Sequence, residues 1–352
     1  MKGNTRKTEG IKIIANKEMQ ILRTVMHKYN IQLVSAEKIR GEYKVTTDIG
    51  NFCLKKMKHG RNKAKNSCIL TEELLFHKFS NIAKYYRTKE GSFYVSYKSN
   101  IFYLTEWLEG YECDLTDIDE AVNCIKLLAQ FHNTTNKIDH NKIHIEKNLK
   151  NWPKIFSSNL NNLEKFKKII ISKRIKNDFD VLFLEGIDNF YSRGLSAINM
   201  LYESQYYKLS KVVNDQKTIC LNSFNNQNII KKEGEYFITD FDNIMIDLQI
   251  NDLGTLIRRL MFKKSYGWDF NFAKVLIEAY NSINRLCKEE LEIMFALIIF
   301  PQKFWKLGYR RYINQKKWSE SKYLHKLNRI VSYNENQQKF FGDYLIFLEE
   351  YL

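Results

Sequence analysis

Two side chains in the stretch 218–254, TICLNSFNNQNIIKKEGEYFITDFDNIMIDLQINDLG, offer oxygen atoms suited to a hard cation. Asn228 ends a loop, and Asp240 ends the apolar strand EYFITD. Twelve residues of loop, strand, turn and strand separate them, and each can offer an oxygen to a hard cation such as Mg2+. A third candidate is Lys55, at the end of the strand pattern NFCLKK. A strand lysine that faces a cleft can reach nucleotide phosphates, and a glutamate on the next helix can pair with it. Glu72 and Glu73 lie on that helix. Strand alternation sends Lys55 and Lys56 to opposite faces, so one of them faces solvent. Each residue also has an ordinary reading: a turn asparagine, a capping aspartate, a solvated strand lysine. Upstream, IRGEYKV holds one glycine, Gly41, where a loop that covers phosphates usually has several.

The elements that must position these groups are readable from periodicity. Residues 10–29 have helical spacing, with Ile11, Ile14, Ile21, Leu22, Val25 and Met26 apolar. GEYKVTTDIGNFCLKK reads as a hairpin with its turn at 48–51, and 63–79 as a helix. SFYVSYK and IFYLTEWLEG form a second hairpin about Ser99-Asn100. After Gly110 the pattern becomes mostly helical, at 117–135, 155–175, 184–207, 251–263, 270–284, 288–313 and 319–350, interrupted by strands and a loop at 217–248. A small β-rich part at 1–108 and a larger helical part at 109–352, joined by a tight hinge, is the expected organisation.

Composition sets limits. The chain has 352 residues, enough for about two domains, and only 2 prolines and 14 glycines, which excludes proline-rich and Gly/Ser linkers. The net charge of +16 suggests a polyanion partner, although an A/T-rich coding bias toward lysine, asparagine and isoleucine accounts for part of it. Residues 301–330 carry nine Lys/Arg against Glu320, half of the excess. In that tract the cations alternate with Phe304, Trp305, Tyr309, Tyr312, Trp318 and Tyr323, a pattern able to stack on bases. As one helix, however, it puts Phe304, Trp305, Leu307, Gly308, Tyr312 and Ile313 on a core face and the cations mostly outside. The six cysteines have no metal-site spacing, and the histidines make no ligand set. No export signal or membrane span is expected from the charged N-terminal sequence and the short apolar runs.

The chain resembles the CotS family of bacterial spore coat proteins, which belongs with aminoglycoside phosphotransferases and choline kinases. The segments that carry the resemblance are GEYKV…GNFCLKKMKHG, YLTEWLEGYECDL, AVNCIKLLAQFH, KNLKNWPKIF, TDFDNIMIDLQINDLGTLIRRLMFKK and FPQKFWKLGYRRY. They span about residues 25–330. The resemblance implies an α+β, two-lobed, protein-kinase-like fold with ATP and Mg2+ as the ligands of its cleft. It implies Lys55 and Glu72 as the ion pair over the phosphates, Glu106, Trp107 and Leu108 as the adenine-side segment, and Asn228 and Asp240 as metal ligands. Asp252 would support the catalytic loop. It also implies other spore coat proteins as partners and synthesis in the mother-cell cytoplasm before deposition in the coat.

One departure matters most. Phosphotransferases of this fold carry His-x-Asp five residues ahead of the metal-binding asparagine, and that aspartate accepts or orients the substrate hydroxyl proton. Here the base position is Ser223 and the histidine position is Leu221. Serine is a poor base, Asn222 accepts no proton, and no carboxylate lies between Asp215 and Glu233. The expectation is therefore a coat protein on a degenerate kinase scaffold. The alternatives are an ATP-dependent phosphotransferase acting on a small hydroxyl compound and, third, a nucleic-acid binder using 303–329. The basic tract lies outside the expected nucleotide cleft, so a docking surface is favoured over nucleic acid.

Overall fold

The computed structural model describes residues 14–58, 60–145 and 149–351. Contacts divide the chain into two compact units. One comprises Met1–Leu115, Asp119–Asn148 and Ile219–Ile246; the other comprises Thr116–Ile118, Leu149–Thr218 and Asp247–Leu352. Residues 119–148 and 219–246 thus group with the N-terminal strands.

The first unit begins with α1 (Asn16–His27), followed by β1 (Leu33–Ile39), β2 (Glu42–Thr47), β3 (Gly50–Met57) and α2 (Arg61–Phe76). Of the expected helix at 10–29, residues 10–13 lie outside the described residues, as does His59. Then come β4 (Tyr85–Tyr86), β5 (Val95–Tyr97) and β6 (Asn100–Glu106). These six strands form one sheet in the order β1-β2-β3-β6-β4, with β5 also on β6. All pairs are antiparallel, and Lys55 on β3 stands opposite Tyr103 on β6. Leu22, Val25 and Met26 of α1 pack on Tyr43, Val45, Phe52, Leu54 and Leu104, filling one face of the sheet. Alternation therefore turns Cys53 and Lys55 to the other face. Lys55 is 6% exposed while Lys56 is exposed, as the strand pattern requires.

The same unit holds β7 (Tyr111–Glu112), most of α3 (Ile118–Thr135), β8 (Ile219–Cys220), β9 (Ile229–Lys232), β10 (Glu235–Ile238) and β11 (Met245–Ile246). Strands β10, β9 and β7 make a small sheet, and β11 pairs with β8. Gly110 precedes β7, where a Cβ would collide with the Lys231 carbonyl. Only glycine lets the chain lie this close to β9. Cys113 and Cys124 are buried in this unit, and among the described cysteines only Cys287 is exposed.

The second unit is helical: α4 (Trp152–Ile171), α5 (Asp178–Glu203), α6 (Tyr206–Gln216), α7 (Ile250–Met261), α8 (Phe270–Asn281), α9 (Lys288–Ile299), α10 (Gln302–Gly308), α11 (Glu320–Val331) and α12 (Asn334–Glu350). Helix α5 starts earlier than its apolar spacing implies because Asn177 and Asp180 form a reciprocal capping box. Helix α6 was not expected. The single helix expected at 288–313 is broken, since Pro301 has no N–H to donate and its ring opposes a continuous turn. A π-helical turn at Tyr309–Ile313 follows α10. The helix expected at 319–350 also breaks, around Ser332 and Tyr333; the Ser332 hydroxyl bonds back to the Arg329 carbonyl. No described helix is long and apolar enough to cross a membrane.

The basic tract is consequently not one amphipathic helix. Phe304, Leu307, Gly308 and Tyr312 are buried as expected, but Ile313 is 42% exposed. Phe304 stacks between Phe183 and Phe190, with ring centroids 4.1 Å away in both cases. Arg311 is drawn inward: it pairs with Glu320 at 2.7 Å and lies between the rings of Phe179 and Tyr323. At Gly308 a Cβ would stand 2.7 Å from both Phe166 and Phe183, which have no room to retreat. Gly308→Ala is expected to destabilise the chain by about 1–3 kcal/mol, the usual cost of overpacking a core, read as a lower urea midpoint at unchanged slope.

Candidate functional site

The site grows from the inward face of β3. The Lys55 ammonium lies 3.1 Å from Glu42, 3.4 Å from Asp240 and 3.9 Å from Asp242. Burial pulls its pKa down, but Glu42, Asp242 and Asp240 outweigh that and hold it well above the usual lysine value. Glu42 opens β2, and its second oxygen accepts from the Cys53 thiol at 3.4 Å. The Tyr103 hydroxyl donates to Asp242 at 2.6 Å and 2.5 Å. Tyr85 stacks on Tyr103 with centroids 5.6 Å apart. Burial first, then the carboxylates of Asp242 and Asp240, push both tyrosines well above their ordinary range. Burial, with Asp240 beside it, also raises Asp242 to about 6 against the pull of Lys55.

The acidic loop follows β10. The Asp242 N–H donates to the Asp240 carboxylate at 2.9 Å, so the two residues share one tight turn. The Thr239 N–H donates to the Asn228 carbonyl at 3.0 Å, tying this turn to the loop ahead of β9. The Asn228 amide nitrogen donates to the Ser223 carbonyl at 3.0 Å, and Asn225 donates to the same carbonyl at 2.8 Å. That use of the amide N–H leaves the Asn228 side-chain oxygen as the atom suited to a cation.

A cavity of about 330 Å³ collects these groups. Lys55, Glu42, Glu106, Trp107, Leu108, Asn228, Asp240 and Asp242 all line it. The β1–β2 turn, with Arg40 and Gly41, lies at its edge, and Arg40 pairs with Glu112 at 2.6 Å. Trp107 and Leu108 are buried, and the Lys44 ammonium sits 5.0 Å from the Trp107 ring centroid. The donors facing Lys55 are oxygens, the set a hard divalent cation prefers, and two close carboxylates would be relieved by one. Among the described residues no cluster of three or more His, Cys, Asp or Glu forms a metal site. The candidate site thus rests on Asp240 and Asp242 completed by the Asn228 amide oxygen.

Two expectations need revision. Glu72 does not pair with Lys55: it is held bidentately by Arg87, at 2.6 Å for both bonds, and lies outside this cavity. Glu73 pairs instead with Lys142 at 2.6 Å. The helix glutamates are thus spent on neighbouring cations, and Glu42 takes the place expected of Glu72. Ser223 is not among the residues lining the cavity; its hydroxyl donates to the Leu221 carbonyl at 3.3 Å, and Leu221 is 1% exposed. Asp252 is buried in the first turn of α7, in the second unit. The residues missed were Glu42, Tyr103 and Asp242. Only Asp242 had a sequence signal, lying two positions after Asp240 on the same turn.

The family of spore coat putative kinase YutH matches residues 22–344. The chain belongs to that family. Spore coat protein S of Bacillus subtilis (strain 168) is 26% identical over 332 residues, covering 92% of this chain and 93% of its own. The resemblance to spore coat proteins is therefore upheld. An aminoglycoside phosphotransferase from Alicyclobacillus acidocaldarius superposes with a TM-score of 0.82 at 17% identity, over 98% of this chain and 99% of its own. The spectinomycin phosphotransferase APH(9)-Ia, in complex with ADP and spectinomycin, gives 0.60 at 16% identity, over 91% and 94%. This spore coat family member therefore has the kinase-like, aminoglycoside phosphotransferase fold.

Proposed function

We propose that this protein is a structural component of the bacterial spore coat, built with other coat proteins on a kinase-like scaffold that transfers phosphoryl groups inefficiently or not at all. The observation that carries this reading is the loop at 221–228. Ser223 stands at the base position, its hydroxyl is directed at the Leu221 carbonyl, and the loop contains no carboxylate. A missing base costs about 10²–10⁴ in rate. The kinship to spore coat protein S supports the coat assignment and, with it, synthesis in the mother-cell cytoplasm.

Nucleotide and metal binding are kept in this proposal. Lys55 would meet nucleotide phosphates, and Asn228, Asp240 and Asp242 would hold Mg2+, which when bound would neutralise phosphate charge. The segment Glu106–Leu108 would flank the base. Thermal unfolding with ATP and Mg2+ tests this. A ligand at about 100 times its Kd adds ~2.7 kcal/mol, so the midpoint is expected to rise with both ligands and to rise less with Asp240→Asn. An unchanged midpoint would leave a pure scaffold.

The second reading is an active small-molecule phosphotransferase. It is favoured by the retained Lys55, Asn228 and Asp240, and by a wider cavity of about 870 Å³ that shares Asp242 and is lined also by Asn222 and Arg61. Robust Mg2+-dependent transfer by the natural protein, abolished in Asp240→Ala, would establish that reading and reject the first.

A further inference from the structure

In the second unit, far along the sequence from Lys55, a small cavity is lined by residues that include Arg193 of α5, Arg258 of α7, Trp268 of the turn ahead of α8, Lys303 of α10 and Gln337 of α12. No aspartate or glutamate lines it. Its polar surface is a set of donors. Arg193 gives one N–H to the Gln337 side-chain oxygen at 2.7 Å, but its buried Nε has no partner. The buried indole Nε1 of Trp268 has none either. Arg258 reaches the Leu297 carbonyl at 2.7 Å with one nitrogen. The Lys303 ammonium rests 3.6 Å from the centroid of the Phe262 ring. Arg329 stands close behind, donating to the Phe262 carbonyl at 2.7 Å.

Such a cluster repels itself. Lys303 is exposed to solvent at the rim of the cavity; the partial burial of its ammonium and the neighbouring Arg329, Arg258, Arg259 and Lys326 pull its pKa down to about 7. Burial lowers Arg193 and Arg258 to about 10. Buried cations are ordinarily paired, and buried N–H groups are ordinarily bonded. A water molecule could accept the two orphan N–H bonds, but it would leave the repulsion in place.

We propose that this cavity binds one small monovalent anion of halide size, accepting hydrogen bonds from Arg193 Nε and Trp268 Nε1 between the charges of Arg258 and Lys303. The free interior is about 10 Å³, room for one water-sized body, so a halide enters only with a small retreat of the lining side chains, and phosphate, sulfate or a nucleotide is excluded. The anion would neutralise the point where α5, α7, α10 and α12 meet and so lock the helices of this unit together.

Bromide is the probe. Crystals of the full chain grown or soaked in sodium bromide are expected to show an anomalous peak in the cavity, within hydrogen-bond reach of Arg193 Nε and Trp268 Nε1. A cavity holding only water at molar bromide overturns the proposal. In solution, at fixed ionic strength, replacing gluconate with chloride is expected to raise Tm saturably, by about 2 °C at ten times the Kd. Lys303→Met should flatten that response and, without chloride, unfold at a higher Tm than the natural protein, because one repelling charge is gone. A Tm independent of chloride in the natural protein, or an equal chloride response in Lys303→Met, would also overturn it. If that variant fails to fold, the anomalous peak decides alone.

Discussion

The double variant Leu221→His, Ser223→Asp is expected to raise Mg2+-dependent ATP turnover by about 10²–10⁴-fold over the natural protein, measured as phosphate release. The scaffold around these positions favours that outcome. The bonds that shape the loop run to the Ser223 backbone carbonyl, from the side chains of Asn225 and Asn228, so a change of the 223 side chain leaves them in place. The bond that changes is that of the Ser223 hydroxyl, which now donates to the Leu221 carbonyl. A carboxylate cannot make that bond and would turn outward, where it can accept a proton. Histidine at 221 enters a buried position and must find a bond there. The single variant Ser223→Asp is therefore expected to gain less than the pair. No gain in either would show that the base is not the only missing part and would move the protein further toward a pure coat scaffold.

The largest stability effect is expected at Lys55. Lys55→Met removes the ammonium that faces Glu42, Asp240 and Asp242. The Lys55 side chain is 7% exposed and those of Asp240 and Asp242 are 19% and 15% exposed, so solvent screens these two contacts little, whereas Glu42, at 44%, is partly screened. Removing one partner of a fully buried ionic group costs about 3–5 kcal/mol; with Asp240 and Asp242 left largely buried but Glu42 open to solvent, the expected loss here is about 2–4 kcal/mol. Urea unfolding at neutral pH should show that loss. Adding Glu42→Gln to Lys55→Met should recover part of it, and Mg2+ should stabilise the variant more than the natural protein, since the cation replaces the lost positive charge. A loss below about 1 kcal/mol, the value of an exposed pair, would mean that water already neutralises these carboxylates.

These expectations rest on contacts of very different legibility. That Lys55 points inward and Lys56 outward follows from period-two alternation beside Phe52 and Leu54, a local property. That Asn228 and Asp240 would line one cavity followed from a short loop, strand and turn between them, closed here by the pairing of β9 with β10. The partner of Lys55 was not legible. Glu72 and Glu42 lie on opposite sides of it in sequence, and either could have reached it. The choice was made elsewhere, by Arg87, which captures Glu72 from beside β4. Likewise the amphipathic spacing of 288–313 was real, but Pro301 divides it and the π-turn redirects the chain beyond Tyr309, so Arg311 turns into an aromatic pocket rather than toward solvent.

The sequence by itself determined the alternation of β2 and β3, the apolar faces of α1, α2 and the C-terminal helices, the oxygen donors before β9 and after β10, and the absence of a carboxylate at 223. All of these are set by neighbours a few residues away, through backbone period or through the chemistry of a single side chain. Only the tertiary structure decided which acid neutralises Lys55, that Tyr103 holds Asp242, and that Arg193, Arg258 and Lys303 converge without an acid among them. Ion pairs and buried charge clusters depend on distance in space and on exclusion of water, and both are settled only when distant segments pack.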